Sequence, residues 1–261
     1  MSALRTPPIW PEKSPSRASA QTLYHVLLDA LFPPRCAGCP NWSRASFCPD
    51  CAPQLRPISA PLCDLCGAPF DPLAFSAPTC AACRARAPHF RAARSVWHFD
   101  TPLRHAIHRF KYGQKSALAS RLAPHLSQKM KDDPALRDFA PRFIVPVPLH
   151  RARLRQRGFN QSLLLAQELG RLLGVETREL LSRTRDTPPQ VDLGRDERAK
   201  NMRDAFTIEA KSCKAKADWQ GARILLIDDV FTTGATLGEA AKTLKRAGAG
   251  EICALTLGRQ A

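Results

Sequence analysis

Residues 224–236 read Ile224-Leu-Leu-Ile-Asp-Asp-Val-Phe-Thr-Thr-Gly-Ala-Thr236, and the order of residue types in this stretch decides the fold. Four apolar residues form a short unbroken run, as a strand buried on both faces of a parallel sheet requires. The run delivers two adjacent carboxylates, Asp228 and Asp229, to the strand's C-terminal end, the edge where open α/β sheets bind ligands. Thr232-Thr-Gly-Ala-Thr236 then turns into a helix. Backbone N–H groups, hydroxyls and the positive helix end converge there and suit a dianionic phosphate. Gly234 lets the backbone approach such a group with no side chain in the way.

Acids beside a phosphate cradle make sense once a ribose lies between them. The carboxylates accept hydrogen bonds from two vicinal hydroxyls while the turn holds the 5′-phosphate. A buried strand, an Asp-capped turn and an ordinary helix would explain the pattern without a ligand, but would not require so many elements to agree.

Working outward from this stretch gives the same class. Phe143–Val147 is a second short apolar run, and a helix follows over Asn160–Leu173 with apolar residues at 163, 164, 165, 169, 172 and 173. Val175–Leu181 reads as a strand, Ala235–Ala247 as a helix and Ile252–Leu257 as a last strand. Upstream, Ser95–Asp100 is strand-like. Thr101–Tyr112 is helical, with Thr101 as N-cap and Pro102 at the first position, and Leu118–Met130 continues helical. Alternating strands and helices imply an α/β domain with a parallel sheet. Ser182–Arg203 is polar, charged and proline-containing, a long connection of the kind that is usually functional or mobile, with a plain disordered linker as the alternative.

Phe143-Ile-Val-Pro-Val-Pro-Leu-His150 leads into Arg151, Arg153, Arg155 and Arg157. The prolines fix φ and remove donors, which makes a rigid strand exit. Four alternating arginines cannot share one helix face, so the spacing predicts an extended loop with the arginines along one side. Guanidinium forks suit the oxygens of a pyrophosphate, although a solvated basic loop is the plainer alternative. Asn160, in Gly158-Phe-Asn-Gln161, is a candidate N-cap for the next helix.

Eight of the ten cysteines form four knuckles: Cys36-x2-Cys39, Cys48-x2-Cys51, Cys63-x2-Cys66 and Cys80-x2-Cys83. They provide two tetrahedral four-thiolate zinc sites, which have no open position and are therefore structural. Sequential sharing joins 36/39/48/51 and 63/66/80/83; interleaved sharing joins 36/39/63/66 and 48/51/80/83. The sequential arrangement is favoured because each loop closes locally. Thioredoxin-like redox chemistry does not come in four copies. Gly38 and Gly67 fall at knuckle turns, where backbone faces thiolates. Cys213 lies outside the pattern, and Cys253, in an apolar strand, is expected to be core. A self-contained module would unfold on chelation and leave the α/β domain folded.

With 261 residues, 44% of them hydrophobic, the chain has room for one mid-sized domain and a small one. More than half of its 23 prolines fall in the first hundred residues. The expected organisation is a disordered tail with a short helix over 1–32, the zinc module over 33–90 and the α/β domain over 91–261. A net charge of +16 draws polyanions such as nucleic acid, acidic lipid or phosphorylated small molecules, though a solvated basic surface would look the same. His105, His108, Arg109 and Lys111 share a predicted helix and would extend a basic stripe, a solvated helix face being the equal alternative. Aromatic residues are only 7%, with Trp42, Phe47, Trp97 and Phe99 the nearest stacking candidates for a single strand. Met1–Arg17 lacks the apolar core of a secretory signal. Leu23–Phe32, interrupted by His25 and Asp29, is too short to span a bilayer. A cytoplasmic protein with reduced thiols and no membrane insertion is expected.

Asp228-Asp-Val-Phe-Thr-Thr-Gly-Ala-Thr236 resembles the phosphoribosyl-pyrophosphate motif of type I phosphoribosyltransferases. The resemblance implies that Asp228 and Asp229 bind the ribose hydroxyls, and that Thr232, Thr233, Gly234, Ala235 and Thr236 bind the 5′-phosphate. It further implies that Val147, Pro148, Leu149, His150 and Arg151 contact pyrophosphate, that Mg²⁺ bridges pyrophosphate and ribose, and that Ser182–Asn201 closes as a flap. Purine-salvage members carry an aspartate where this chain has Thr232, so a purine acceptor is not implied.

The ordered series of motifs is similar to the ComF family over about residues 32–258. It comprises the knuckles, Phe99-Asp through Lys111-Tyr112, Pro146-Val-Pro-Leu-His150, Arg157-Gly-Phe-Asn-Gln161, Arg185-x-Thr-Pro-Pro-Gln190 and Asp228–Thr236. That similarity implies a double zinc ribbon before a phosphoribosyltransferase-like domain, in a cytoplasmic bacterial protein of natural competence that handles incoming single-stranded DNA. Two readings follow. As an enzyme, the chain transfers phosphoribose from phosphoribosyl pyrophosphate to an acceptor. As a binding module, it keeps the ligand site and uses the ribbons and basic face to hold single-stranded DNA or a DNA-translocating motor protein.

Overall fold

The computed structural model describes residues 34–71, 77–112, 117–185, 202–209 and 216–260. The N-terminal tail with its short helix, the flap beyond residue 185 up to 201, and Cys213 lie outside the described residues. In chain order the helices are α1 (Ala81–Ala85), α2 (Leu103–Tyr112), α3 (Leu118–Asp132), α4 (Pro134–Arg137), α5 (Arg151–Arg157), α6 (Gln161–Leu173), α7 (Lys216–Trp219) and α8 (Ala235–Arg246). The strands are β1 (Ala92–His98), β2 (Phe143–Pro146), β3 (Glu176–Thr177), β4 (Leu181–Arg183), β5 (Phe206–Ile208), β6 (Ile224–Phe231) and β7 (Ile252–Arg259).

Five strands make one parallel sheet in the order β1-β7-β6-β2-β3. Its side chains alternate between two cores, as the strand period demands. Ile144, Leu225, Ile227, Cys253 and Leu255 enter the core made with α2, α3 and α6. Val145, Ile224, Leu226, Ile252 and Ala254 enter the other, with α8 and Trp219. Both faces are buried, which is why these strands read as unbroken apolar runs. The region read as one strand over Val175–Leu181 divides: β3 stays in the sheet, while β4 leaves to pair antiparallel with β5. No helix among the described residues is long and apolar enough to cross a membrane.

Residues 151–157 form a helix, which corrects the extended loop expected from the arginine alternation. The segment contains no glycine, proline or β-branched residue. His150 caps its start, and Gly158 ends it with φ 80°, a left-handed conformation suited to glycine. On a helix, a spacing of four groups Arg151 with Arg155 and Arg153 with Arg157, so the arginines occupy two faces.

The cysteine segments are not a separate hydrophobic unit. Cys36, Phe47, Cys48 and Cys51 belong to the first core, and Cys63, Cys66 and Cys83 to the second. The intervening chain runs antiparallel to β1: Ile58 N donates to Val96 O (3.0 Å) and His98 N to Arg56 O (2.9 Å). It thereby covers an edge strand whose free N–H groups would otherwise invite another chain. Buried Arg94 adds a polar tie, donating through Nε to Asp133 Oδ1 (3.0 Å) and through Nη1 to Asp64 O (3.0 Å).

Candidate functional site

The ladder between β6 and β7 continues past the apolar run, pairing Asp228 with Thr256 and Val230 with Gly258. Both acids therefore lie inside the strand, with Asp229 only 5% exposed. Ser162, in the first turn of α6, donates from Oγ to Asp228 Oδ1 (2.9 Å), and the Asp229 N–H donates to the same oxygen (2.9 Å). Asn160 caps α6 by accepting from Ser162 N (3.0 Å) and ties the helix start to β2's exit by donating to Val147 O (3.1 Å). Lys111, in the last turn of α2, forms an ion pair with Asp229 Oδ2.

The two carboxyls are driven apart. Burial, and then the Asp229 charge, push Asp228 from an ordinary 3.8 up to about 7, against the pull of Lys111 and two hydrogen bonds. Burial acts on Asp229 too, but Lys111, together with hydrogen bonds and the Arg157 charge, outweighs it and holds that group below 3.8. Asp229 is thus ionised, and Asp228 titrates near neutrality. Above 3.8 the unfolded chain releases a proton that folded Asp228 keeps until about 7. This group's effect is therefore a stability that falls as pH rises through that window. Asp228→Asn should flatten the slope. Urea midpoints across the window would show it, and equal slopes in parent and variant would refute the shift.

After β6, the turn at Thr232–Gly234 opens α8. Gly234 is its N-cap at φ 80°, and a Cβ there would lie 2.6 Å from the Phe231 ring, so conformation and space both demand glycine. The first N–H groups of this 12-residue helix have no partner within it. Thr232, Thr233, Ala235 and Thr236 are partly exposed around that end.

On the neighbouring strand exit, Val147 N donates to Ile227 O (2.9 Å) and its carbonyl accepts from Asn160. What this loop offers a ligand therefore comes from 148–151: Pro148, Leu149, His150 and Arg151. His150 Nδ1 accepts from Ala152 N (3.4 Å), and His150 bridges to Arg183, which sets the β4–β5 hairpin against this loop. Of the four arginines, Arg157 is the one whose charge acts on Asp229. It donates to Gln161 Oε1 (3.1 Å) and the Tyr112 hydroxyl (3.2 Å) and stacks on the Tyr112 ring.

The cysteines gather sequentially, Cys36, Cys39, Cys48 and Cys51 in one cluster and Cys63, Cys66, Cys80 and Cys83 in the other, with all ligand atoms of each within 4.8 Å. Sulfur–sulfur separations are 3.6 Å for Cys39–Cys48 and 3.7 Å for Cys66–Cys80. A tetrahedral zinc with bonds of about 2.3 Å has an edge of about 3.8 Å, so the donor set fits the ion. Burial raises the Cys36 thiol, but backbone N–H groups of Cys48, Gly38 and Cys39 bring it down to about 7, whereas Cys39 and Cys51 of the same cluster are raised, so a metal would have to displace protons from this set. Arg109 Nη1 donates to the carbonyls of Cys36 (2.5 Å), Ala37 (3.1 Å) and Cys39 (2.7 Å), and Arg259 Nη1 to that of Cys66 (2.7 Å).

Sequence reasoning missed the roles of Lys111, Ser162 and Tyr112 at the acid pair. The available signal was positional: Lys111-Tyr112 and Gly158-Phe-Asn-Gln161 are two of the ordered motifs, and Ser162 follows directly. The aromatic candidates also need correcting. Phe47 and Trp97 are buried against each other and Phe99 packs on the core, whereas Trp42 and Tyr112 are exposed, each under a guanidinium, Arg35 and Arg157.

This architecture defines a phosphoribosyltransferase-type α/β sheet carrying a double zinc ribbon. Family models match both parts, a double zinc ribbon domain over residues 27–84 and a phosphoribosyl transferase domain over 160–260. The chain belongs to the ComF family. It is 31% identical over 219 residues to competence protein F of Haemophilus influenzae, spanning 83% of this chain and 92% of that one. The DNA utilization protein YhgH of Escherichia coli is 34% identical over 193 residues (73% and 81%), and competence protein ComFC of Bacillus subtilis 28% over 215 (80% and 82%).

Proposed function

We propose that this chain binds phosphoribosyl pyrophosphate and serves DNA uptake. The observation that carries the ligand is the acid pair on β6, held by Ser162 and Lys111, directly before a glycine-opened helix start. In this reading Asp228 and Asp229 accept from the ribose hydroxyls. Thr232, Thr233, Gly234, Ala235 and Thr236 hold the 5′-phosphate, and the Val147–Arg151 loop meets the pyrophosphate. Mg²⁺ when bound would offset pyrophosphate charge, with Asp228 and Asp229 the carboxylates in reach. Each cysteine cluster holds one structural zinc, and clusters that need reduced thiols fit a cytoplasmic setting. The names of the relatives, competence and DNA utilization proteins, support the DNA role. Pyrophosphate release during incubation with candidate nucleobases tests for transferase chemistry; binding without release on any acceptor would leave a binding module.

A second reading has its own support. Trp42 and Tyr112 are exposed aromatic residues, each with a guanidinium over one face, on a chain of charge +16, which suits a single-strand platform. In that reading the ribbons and basic face hold single-stranded DNA or a DNA-translocating motor. Affinity for single-stranded DNA should fall steeply with salt through counterion release. Replacing Trp42 and Tyr112 by alanine should weaken it at least about fivefold, since stacking contributes about 1–3 kcal/mol per base. Absence of binding even at low salt would leave the charge as solvated surface.

A further inference from the structure

The acid pair is charge-compensated by the chain itself. Lys111 Nζ sits on Asp229 Oδ2, a buried oxygen with no hydrogen-bond partner besides that ion pair. The Lys111 side chain is 24% exposed, and an ammonium has three donors, so contact with one carboxylate oxygen leaves donors for the cleft. Arg157 supplies a second cation, fixed by Gln161 and Tyr112. The ionised Asp229 therefore carries one protein cation in contact, and feels the charge of a second, before any metal arrives.

Lys111 is also held in place. Two residues earlier on the same helical turn, Arg109 grips three carbonyls of the first cysteine knuckle. The last turn of α2 is thus clamped to the ribbon on one side while Lys111 extends to Asp229 on the other. A divalent cation in a sugar-pyrophosphate site offsets repulsion between the pyrophosphate and the carboxylates that hold the sugar. Here a protein ammonium already stands on the more buried of those carboxylates.

We infer that Lys111 takes over this charge-balancing role, so that a sugar phosphate bearing a pyrophosphate binds this chain without a divalent metal. The inference rests on the reading of the site given above. Lys111 acts as a positioning residue, through Asp229, and its signature is the metal dependence of binding. A merely structural lysine would change affinity equally with and without Mg²⁺.

The test is calorimetric titration of phosphoribosyl pyrophosphate into the full zinc-loaded chain. Divalent cations are removed from the buffer by resin, because a soluble chelator would attack the cysteine clusters, and zinc content is checked afterwards. The parent should bind within about threefold of the same affinity with and without millimolar Mg²⁺. Lys111→Met should bind at least about tenfold more weakly without Mg²⁺ and recover most of the loss when it is added. Lys111→Arg, which keeps the charge, should stay near the parent in both buffers. Parent binding that appears only with Mg²⁺ overturns the inference and leaves the ligand reading standing. No binding in either buffer overturns the ligand reading, and the inference with it. Should K111M not fold, the parent comparison alone decides.

Discussion

Replacing Asp228 and Asp229 together by alanine should weaken phosphoribosyl pyrophosphate binding by at least about a hundredfold, because hydrogen bonds to charged groups contribute about 1.5–3 kcal/mol each and two are lost. The pair lies on the last half of β6, beside a helix start that can take a phosphate, and both side chains face groups from other elements: Ser162 for Asp228, Lys111 for Asp229. The substitution leaves Lys111 without its carboxylate, but that side chain retains access to water and the fold should survive. Ser162→Ala is the milder companion. It removes one orienting donor and should weaken binding by several-fold, on the order of the 0.5–1.5 kcal/mol of an ordinary hydrogen bond. Calorimetry on folded variants checks both, and a folded double variant that binds like the parent would show that the acids do not hold the sugar.

Loss of a single cluster thiolate should destabilise the whole chain. Cys48→Ser and Cys66→Ser each break one four-thiolate set, and structural zinc contributes apparent binding energies of about 10–16 kcal/mol in zinc-finger peptides. The entire stability of a domain is about 5–15 kcal/mol. An isolated ribbon would absorb that loss alone. Here Cys48 shares a core with Leu103 and Leu255, Cys66 shares one with Phe231 and Leu237, and Arg109 and Arg259 tie the knuckles to α2 and β7. The purified parent should carry two zinc ions per chain, matching the two clusters, and unfold in one transition. Either variant, or the chelated parent, should lose sheet and helix signal together by circular dichroism. An α/β domain that melts unchanged after zinc is removed would contradict this coupling, and a metal content of one or none would contradict the two-cluster reading.

What was legible in the sequence is what neighbouring residues decide among themselves. Ile224–Ile227 announces a doubly buried strand, Gly234 a turn that excludes a side chain, and the four knuckles two metal sites, each within a short stretch of chain. The extent of β6 was not legible, because its last residues are held by Thr256, Gly258 and Arg259 of β7 and not by their own hydrophobicity. Helix α5 departs from the extended loop that arginine alternation suggests because Arg, Ala, Leu and Gln all favour a helix. Lys111 stood out as part of a basic stripe and at the end of one ordered motif, neither of which names its partner. Its pairing with Asp229 depends on α2 packing across the sheet end, a contact distant in sequence. The ribbon's fusion to the sheet was hidden for the same reason, since Phe47 meets Trp97 at 5.7 Å only once β1 is in place.

The most direct test of the ligand reading is a competition titration on the zinc-loaded parent chain. Phosphoribosyl pyrophosphate should bind at one site per chain, and both ribose 5-phosphate and inorganic pyrophosphate should displace it with lower affinity, each occupying one part of the Asp228–Thr236 and Val147–Arg151 surface. A chain that takes up no phosphoribosyl pyrophosphate, or binds it without competition from ribose 5-phosphate, would contradict the assignment of this site.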